Sequence, residues 1–474
     1  MHPPTQRELL LVAVLFIALL TYSSTRISHQ GVSRIDLSSI WHDIPSPPKF
    51  SGIPTLPSDM RLSWGTSKVP RSRIIAHAPG WTIFDRMYIY NGTVYLVSDE
   101  PETFPDRKYM TSAGINIGNG PEMVAARQPT DKDMRIISTS AAKKLFGTGA
   151  NRVQGVTWLV NDPRQFITHY YHWSAELFFG LWRTYSALDP FIPTSGKTAL
   201  PPPRRLLFTH LDADHWRDYA AMNQWVLRTA FPSISMEFSD DWKDRAAMGV
   251  PFVFDRVVFA DRAAAMSGEV FLRSQRSASE AFTLPGSPNW WSTFRDNVIQ
   301  PTGLNASTGA GTRHNPVITY ISRQDWGRRM LIQSDHEKLV EELYKLRDQY
   351  GYEVNVVSMD QLSRAEQLQL AGRTTIMMGV HGNGLTALLW MKPSPRSTVM
   401  EFFYPGGFAH DYEYTTRALG MVHYGFWGDS FFTGGDTPPP AYPEGFQGNE
   451  IPIDGEVVAR QVHSRLSLAE EADD

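Results

Sequence analysis

The rhythm of apolar and polar positions changes several times along the chain. An uncharged run covers residues 9–25, and a Pro- and Ser-rich stretch without an apolar period follows it to residue 72. Short alternating runs then begin. Alternation over 73–76, and over 87–97 around the turn pair Asn91-Gly92, predicts paired β-strands, because successive strand side chains point to opposite faces. Beyond these the runs become strand-like and helix-like in turn, with strands over 156–160, 206–209 and 252–260 and helices over 169–188 and 214–230. That order predicts an α/β lobe.

Residues 284–312 are rich in Pro, Gly, Ser and Thr, broken by a possible short helix over 290–299, and mark a lobe boundary. The second lobe has the clearest pattern. A strand over 317–322 precedes a helix that Ser334 and Glu337 open as a capping box; Leu339, Leu343 and Leu346 share its face and Gly351 stops it. Strands over 352–357, 374–380 and 398–403 alternate with helices over 359–371 and 385–391. This is the outline of a doubly wound parallel sheet, which binds ligands beyond the carboxyl ends of its strands. The expected organisation is a tail at 1–8, a span at 9–25, a stem at 26–72, a first lobe at 73–285, a linker at 286–312, a second lobe at 313–436 and a loop-like tail at 437–474.

Composition narrows the function. The chain has 474 residues and 42% hydrophobic positions, enough for two cores. A net charge of −4 leaves no excess of Lys and Arg for a nucleic acid. Cysteine is absent, which removes disulfides, thiolate metal sites and cysteine nucleophiles. The run at 9–25 is near the lower limit of a bilayer span and reads as an uncleaved signal-anchor, since no small-residue cleavage site of the usual kind follows it. Asn91-Gly92-Thr93 and Asn305-Ala306-Ser307 are glycosylation acceptor tripeptides. Together these predict a single-pass type II protein of the Golgi or endoplasmic reticulum membrane with a lumenal catalytic region.

Five places can carry chemistry. His381-Gly382-Asn383-Gly384-Leu385 lies between a strand and a helix, where glycines let the backbone approach an anion and a helix N-terminus offers free N–H groups. The competing reading is a tight turn capped by a histidine. Ser322-Arg323 ends a strand at the same expected edge, two strands away, and Arg328 and Arg329 follow; guanidinium forks match phosphate oxygens, although a solvated basic loop is the plainer alternative. Glu401 ends the next strand and is either an acceptor from sugar hydroxyls or a structural carboxylate. In the first lobe His169, His172 and Glu176 fall near one helix face, open to three readings: a zinc site, a general base in His172 or Glu176, or a satisfied buried histidine. Asp212-Ala213-Asp214 imitates a cation-binding D-x-D sequence, but N-capping of the helix over 214–230 accounts for it as well.

The string from Gly379 through Val380, His381, Gly382, Asn383, Gly384 and Leu385 to Thr386, then Pro393, Val399-Met400-Glu401 and Pro405, resembles glycosyltransferase family 61. So do Thr319-Tyr320-Ile321-Ser322-Arg323 with Arg328-Arg329, similar to the family's Ser-Arg element, and His172-x3-Glu176, similar to its Asn-x-x-His-x-x-x-Asp/Glu element. The likeness is confined to motifs across residues 155–425. Asn383 stands where the family usually has alanine, and His169 where it commonly has asparagine. The resemblance implies an inverting glycosyltransferase with two facing Rossmann-like lobes, the GT-B arrangement. It implies a UDP-sugar donor of the xylose, arabinose or N-acetylglucosamine type, a glycan or glycoprotein acceptor, and no bound cofactor or catalytic metal. The alternatives are a metal-dependent sugar transferase or hydrolase built on Asp212 and Asp214, and a non-catalytic lumenal glycan-binding protein.

Overall fold

The computed structural model describes residues 60–303 and 315–468. The expected cytosolic tail, the anchor, the stem up to residue 59 and the acceptor Asn305 lie outside the described residues. Among the described residues no helix is long and apolar enough to cross a membrane.

Two sheets organise the described chain. The first has nine strands, with the path β5-β4-β3-β9-β6-β7-β8, where β3 is Trp81–Tyr90, β4 Thr93–Val97, β5 Met134–Ile137, β6 Gly149–Val160, β7 Arg205–Phe208, β8 Ser235–Glu237 and β9 Phe252–Ala260. Strands β9, β6, β7 and β8 run parallel, whereas β3 pairs antiparallel with both β9 and β4. The lobe is therefore mixed, with a parallel half. Its β3–β4 hairpin turns at Asn91 and Gly92, both at positive φ, as a tight Asn-Gly hairpin turn requires. Side chains alternate through the sheet: Trp158, Val160, Leu206 and Phe208 enter one core, and Leu159 and Leu207 the other. Gly180 is needed where the helix Phe179–Ser186 crosses this sheet, because a Cβ there would meet the Trp81 ring at 2.2 Å.

The second sheet has the order β11-β10-β12-β13-β14-β15. Its strands are β10 Val317–Ile321, β11 Glu353–Val357, β12 Ile376–Val380, β13 Thr398–Phe402, β14 Val422–Trp427 and β15 Ser430–Thr433. All pairings are parallel except the final hairpin β14–β15. β10, β12 and β13 are buried throughout, which is why they read as near-continuous apolar runs. On one face Leu339, Leu343 and Leu346 of the helix Gln333–Tyr350 pack with Val458 and Val462 of the helix Gly455–Leu466. The other face joins the core of the first sheet: Met377, Val399, Leu388 and Trp390 share one apolar cluster with Trp158, Trp173 and Phe294.

Several expectations need correction. The chain enters the first sheet before residue 73, since β1, Arg61–Ser63, pairs with β6; three residues are too few for a periodic signal. The helix expected over 214–230 spans only Met222–Ala230, so neither Asp212 nor Asp214 caps it. Asp218 instead accepts from the Asn223 N–H at 2.8 Å. The Ser334-Glu337 capping box is not formed, because the helix starts at Gln333; a true box joins Ser363 and Glu366. The stop at Gly351, with φ 74°, is as expected. The tail expected to be loop-like contains the helix Gly455–Leu466, whose Gly455 lies so close to Leu339 that a Cβ would reach its backbone at 2.7 Å. Flanking prolines and glycines masked that apolar stripe.

Candidate active site

The order β11-β10-β12 reverses direction at β10, so a crevice opens beyond the carboxyl ends of β10 and β12, the switch point at which such sheets take ligands. Ser322-Arg323 leaves β10 there, and His381-Gly382 leaves β12. The two strands are neighbours, not two apart as chain order implied. Arg323 lies directly over Gly382, where a Cβ would come within 2.9 Å of the guanidinium. A side chain at 382 would thus displace Arg323. Gly384 is equally confined, with Ile321 2.9 Å from its Cβ position.

Arg323 has no hydrogen-bond or carboxylate partner among the described residues, and its Nε is buried without one. Burial, with Arg329 and Arg328 nearby, pushes its pKa down to about 10. A cation so placed calls for an anion. Arg329, at φ 54°, donates to the His381 carbonyl at 3.2 Å and to Gln447 at 2.6 Å. Arg328 is exposed and contributes only charge from outside the crevice. Asn383 opens the helix Asn383–Trp390, whose first amides lack intrahelical acceptors. Leu385 does not face a ligand, because its N–H donates to Gly382 at 3.0 Å and its side chain is core.

A cavity of about 410 Å³ continues from this edge. Ser322, Arg323, Trp326, Asp360, Arg364 and Asn383 are in its wall, with the Arg323 guanidinium over the Trp326 ring at 5.8 Å. The first lobe closes it with Tyr170, Tyr219 and Met222.

Glu401 is fully buried, which favours the structural carboxylate of its two expected readings over the contact with sugar hydroxyls. One carboxylate oxygen meets His381 Nδ1 at 2.5 Å and the other His423 Nε2 at 2.9 Å. Glu401 therefore fixes the His381 ring and leaves Nε2 as its unengaged edge.

The first lobe brings a second cluster, which reaches His381 through the rings of Tyr171 and Tyr412. Residues His172–Phe178 are wound as a π-helix, a variation frequent at functional sites, before α geometry resumes over Phe179–Ser186. His172 Nδ1 lies 2.7 Å from Glu176. Glu176 is buried and also accepts from Arg262 at 3.2 Å and Arg276 at 3.4 Å. Burial opposes its charge, but His172, Arg276 and Arg262 together hold its carboxyl well below the usual carboxylate range. That makes Glu176 a poor base and a strong orienter of His172. His169 lies just before the helix, with its ring 5.0 Å from that of His172. Tyr412 connects the clusters, its ring 5.1 Å from Tyr171 and 5.5 Å from His381.

Asp212 is held by Arg164 at 3.3 Å and accepts from Ser239 at 3.1 Å, and Asp214 is exposed. Among the described residues no group of three or more His, Asp or Glu side chains is arranged to hold a metal ion. The sequence pattern passed over Arg262, Arg276, Tyr412 and His423. Only Arg262 had a signal, standing just past the end of β9 at the ligand-binding edge of a parallel strand.

Residues 170–400 match the family model described as Glycosyltransferase 61. A search of curated proteins found no match. The matched segment holds His172, Glu176, the Arg323 loop and the His381–Gly384 turn, so both sides of the crevice fall within it. On that match residues 170–400 are a segment of the glycosyltransferase family 61 type, and the chain is a glycosyltransferase.

Proposed function

We propose that this enzyme is an inverting glycosyltransferase of the GT-B arrangement, moving a sugar from a UDP-sugar of the xylose, arabinose or N-acetylglucosamine type to a glycan or glycoprotein acceptor, without a bound metal. The observation that carries the reading is the Arg323 guanidinium, without a hydrogen-bond or carboxylate partner among the described residues, over Gly382 at the switch point of the second sheet and in the wall of the cavity. Arg323, Arg329 and the first amides of the helix Asn383–Trp390 hold the pyrophosphate, fixed charges and dipoles that need no reorganisation as the leaving group forms. The nucleoside occupies the cavity toward Trp326 and Asp360.

His172 is the general base. With Nδ1–H donated to Glu176, its Nε2 lone pair takes the acceptor hydroxyl proton. The acceptor oxygen bonds to the anomeric carbon as the bond to the phosphate oxygen breaks, giving inversion, an imidazolium balanced by Glu176, and UDP held by the arginines. The enzyme is a single-pass type II protein of the Golgi or endoplasmic reticulum membrane on this reading, supported by the uncharged run at 9–25 and by the exposed Asn91 turn.

The His172→Gln variant tests the chemistry. It is expected to bind UDP like the parent and to lose transfer by about a hundredfold or more; undiminished turnover removes His172 from the mechanism.

A further inference from the structure

The base and the pyrophosphate cradle belong to different sheets, and in-line attack tolerates little error between them. A misplacement of about 1 Å can cost on the order of a hundredfold in rate. Arg276 sits at that junction. It lies in the connector between the helix Glu269–Ser274 and the turn Ser277–Thr283, on the first-lobe side, with only 14% of its side chain exposed. One terminal nitrogen reaches both Glu176 Oε1 at 3.4 Å and Asp411 Oδ1 at 2.6 Å. Asp411 is in the first turn of the helix His410–Ala418 of the second lobe, and the next residue is Tyr412, whose ring meets His381. Tyr171, beside His172, donates its hydroxyl to the Asp411 carbonyl at 3.0 Å.

We infer that Arg276 is a positioning residue, tying the carboxylate that orients His172 to the helix that packs against His381 and so fixing the base relative to the bound donor. The inference rests on His172 being the base. His172 meets Glu176 with its ring, Arg262 with its carbonyl and His169 ring to ring; Arg276, Asp411 and Asp162 act on it through Glu176 and Arg262, and Arg329 acts on His169. Asp162, Glu176 and Asp411 oppose Arg262 and Arg276 in one ion-paired network beside His172. Removing Arg276 adds a net negative charge near the ring and favours its protonated form. Removing the Asp411 charge does the reverse.

The full-length enzyme is measured as the parent, Arg276→Met, Arg276→Lys and Asp411→Asn, reading melting temperature, UDP affinity, kcat and the pH dependence of kcat/KM. Arg276→Met is expected to lower kcat about ten- to a hundredfold with UDP affinity within about twofold, and to move the acid limb of the profile up by roughly half a unit or more. Asp411→Asn lowers kcat similarly and moves that limb down. Arg276→Lys keeps the charge but not the planar fork, so the limb stays in place and kcat is intermediate. Folded Arg276→Met with parental kcat and an unmoved limb overturns the proposal, as do limb shifts of the same sign in Arg276→Met and Asp411→Asn. Should Arg276→Met fail to fold, the other two variants decide it by the limb shift of Asp411→Asn and the kcat of Arg276→Lys. His172→Gln separates the two ideas: retained turnover there defeats the base reading itself, whereas lost turnover beside an unaffected Arg276→Met defeats only the positioning role.

Discussion

Arg323 gives the sharpest test, because stability and binding should move in opposite directions when it is replaced. Without ligand its guanidinium is half-buried, unpaired and close to two other arginines, which pushes its pKa down to about 10. A depressed pKa on a basic group means that the folded state disfavours the charge that the unfolded chain carries freely. Discounted for the side chain's remaining exposure, the penalty is about 1–2 kcal/mol at neutral pH. Arg323→Met keeps most of the packing against Gly382 and removes the charge, so the ligand-free protein should melt about 2–4 °C higher. Binding should suffer. Two charge-assisted hydrogen bonds to a pyrophosphate amount to about 3 kcal/mol in all, or on the order of a hundredfold in Kd. Thermal unfolding without ligand and calorimetric titration with UDP, both in EDTA, measure the two effects. An unchanged Kd, or a lower melting temperature in the absence of UDP, refutes the reasoning.

Other outcomes follow from the same geometry. Glu401→Ala leaves two buried histidines without their shared carboxylate, and should cost about 3–5 kcal/mol in denaturant unfolding; a loss below about 1 kcal/mol would mean that the bridge is dispensable. Trp326→Ala removes an aromatic wall from the nucleoside end of the cavity. UDP affinity should fall about tenfold and inorganic pyrophosphate affinity by less, through the Arg323 guanidinium that lies over the ring, and equal losses for both would move the nucleoside elsewhere.

The second lobe was legible because its central strands are buried on both faces and announce themselves as apolar runs between helical periods. The sequence also pointed to Arg323 and His381 on one edge. Their adjacency came from the reversal of strand order at β10, which chain order does not carry. Glu401 stayed open between a sugar contact and a structural carboxylate, because its second partner, His423, lies on β14, beyond the last strand recognised in the pattern. His172 and Glu176 were found as a pair, but their division of labour was not. Two arginines, one 86 and the other 100 residues along the chain, keep Glu176 ionised, and no local spacing encodes them. Asp212 misled in the opposite sense: a carboxylate before a helical run looks like a cap, yet the loop around Asp218 delays that helix to Met222.

The central claim is that this enzyme activates a UDP-sugar with its own arginines and inverts the anomeric centre. A panel of UDP-sugars, assayed in excess EDTA with a mixture of glycan acceptors and followed by UDP release and by NMR of the product anomer, addresses it directly. The expected result is saturable release from one donor and a product of inverted configuration. Retained configuration, or release that disappears in EDTA and returns with manganese, would contradict it.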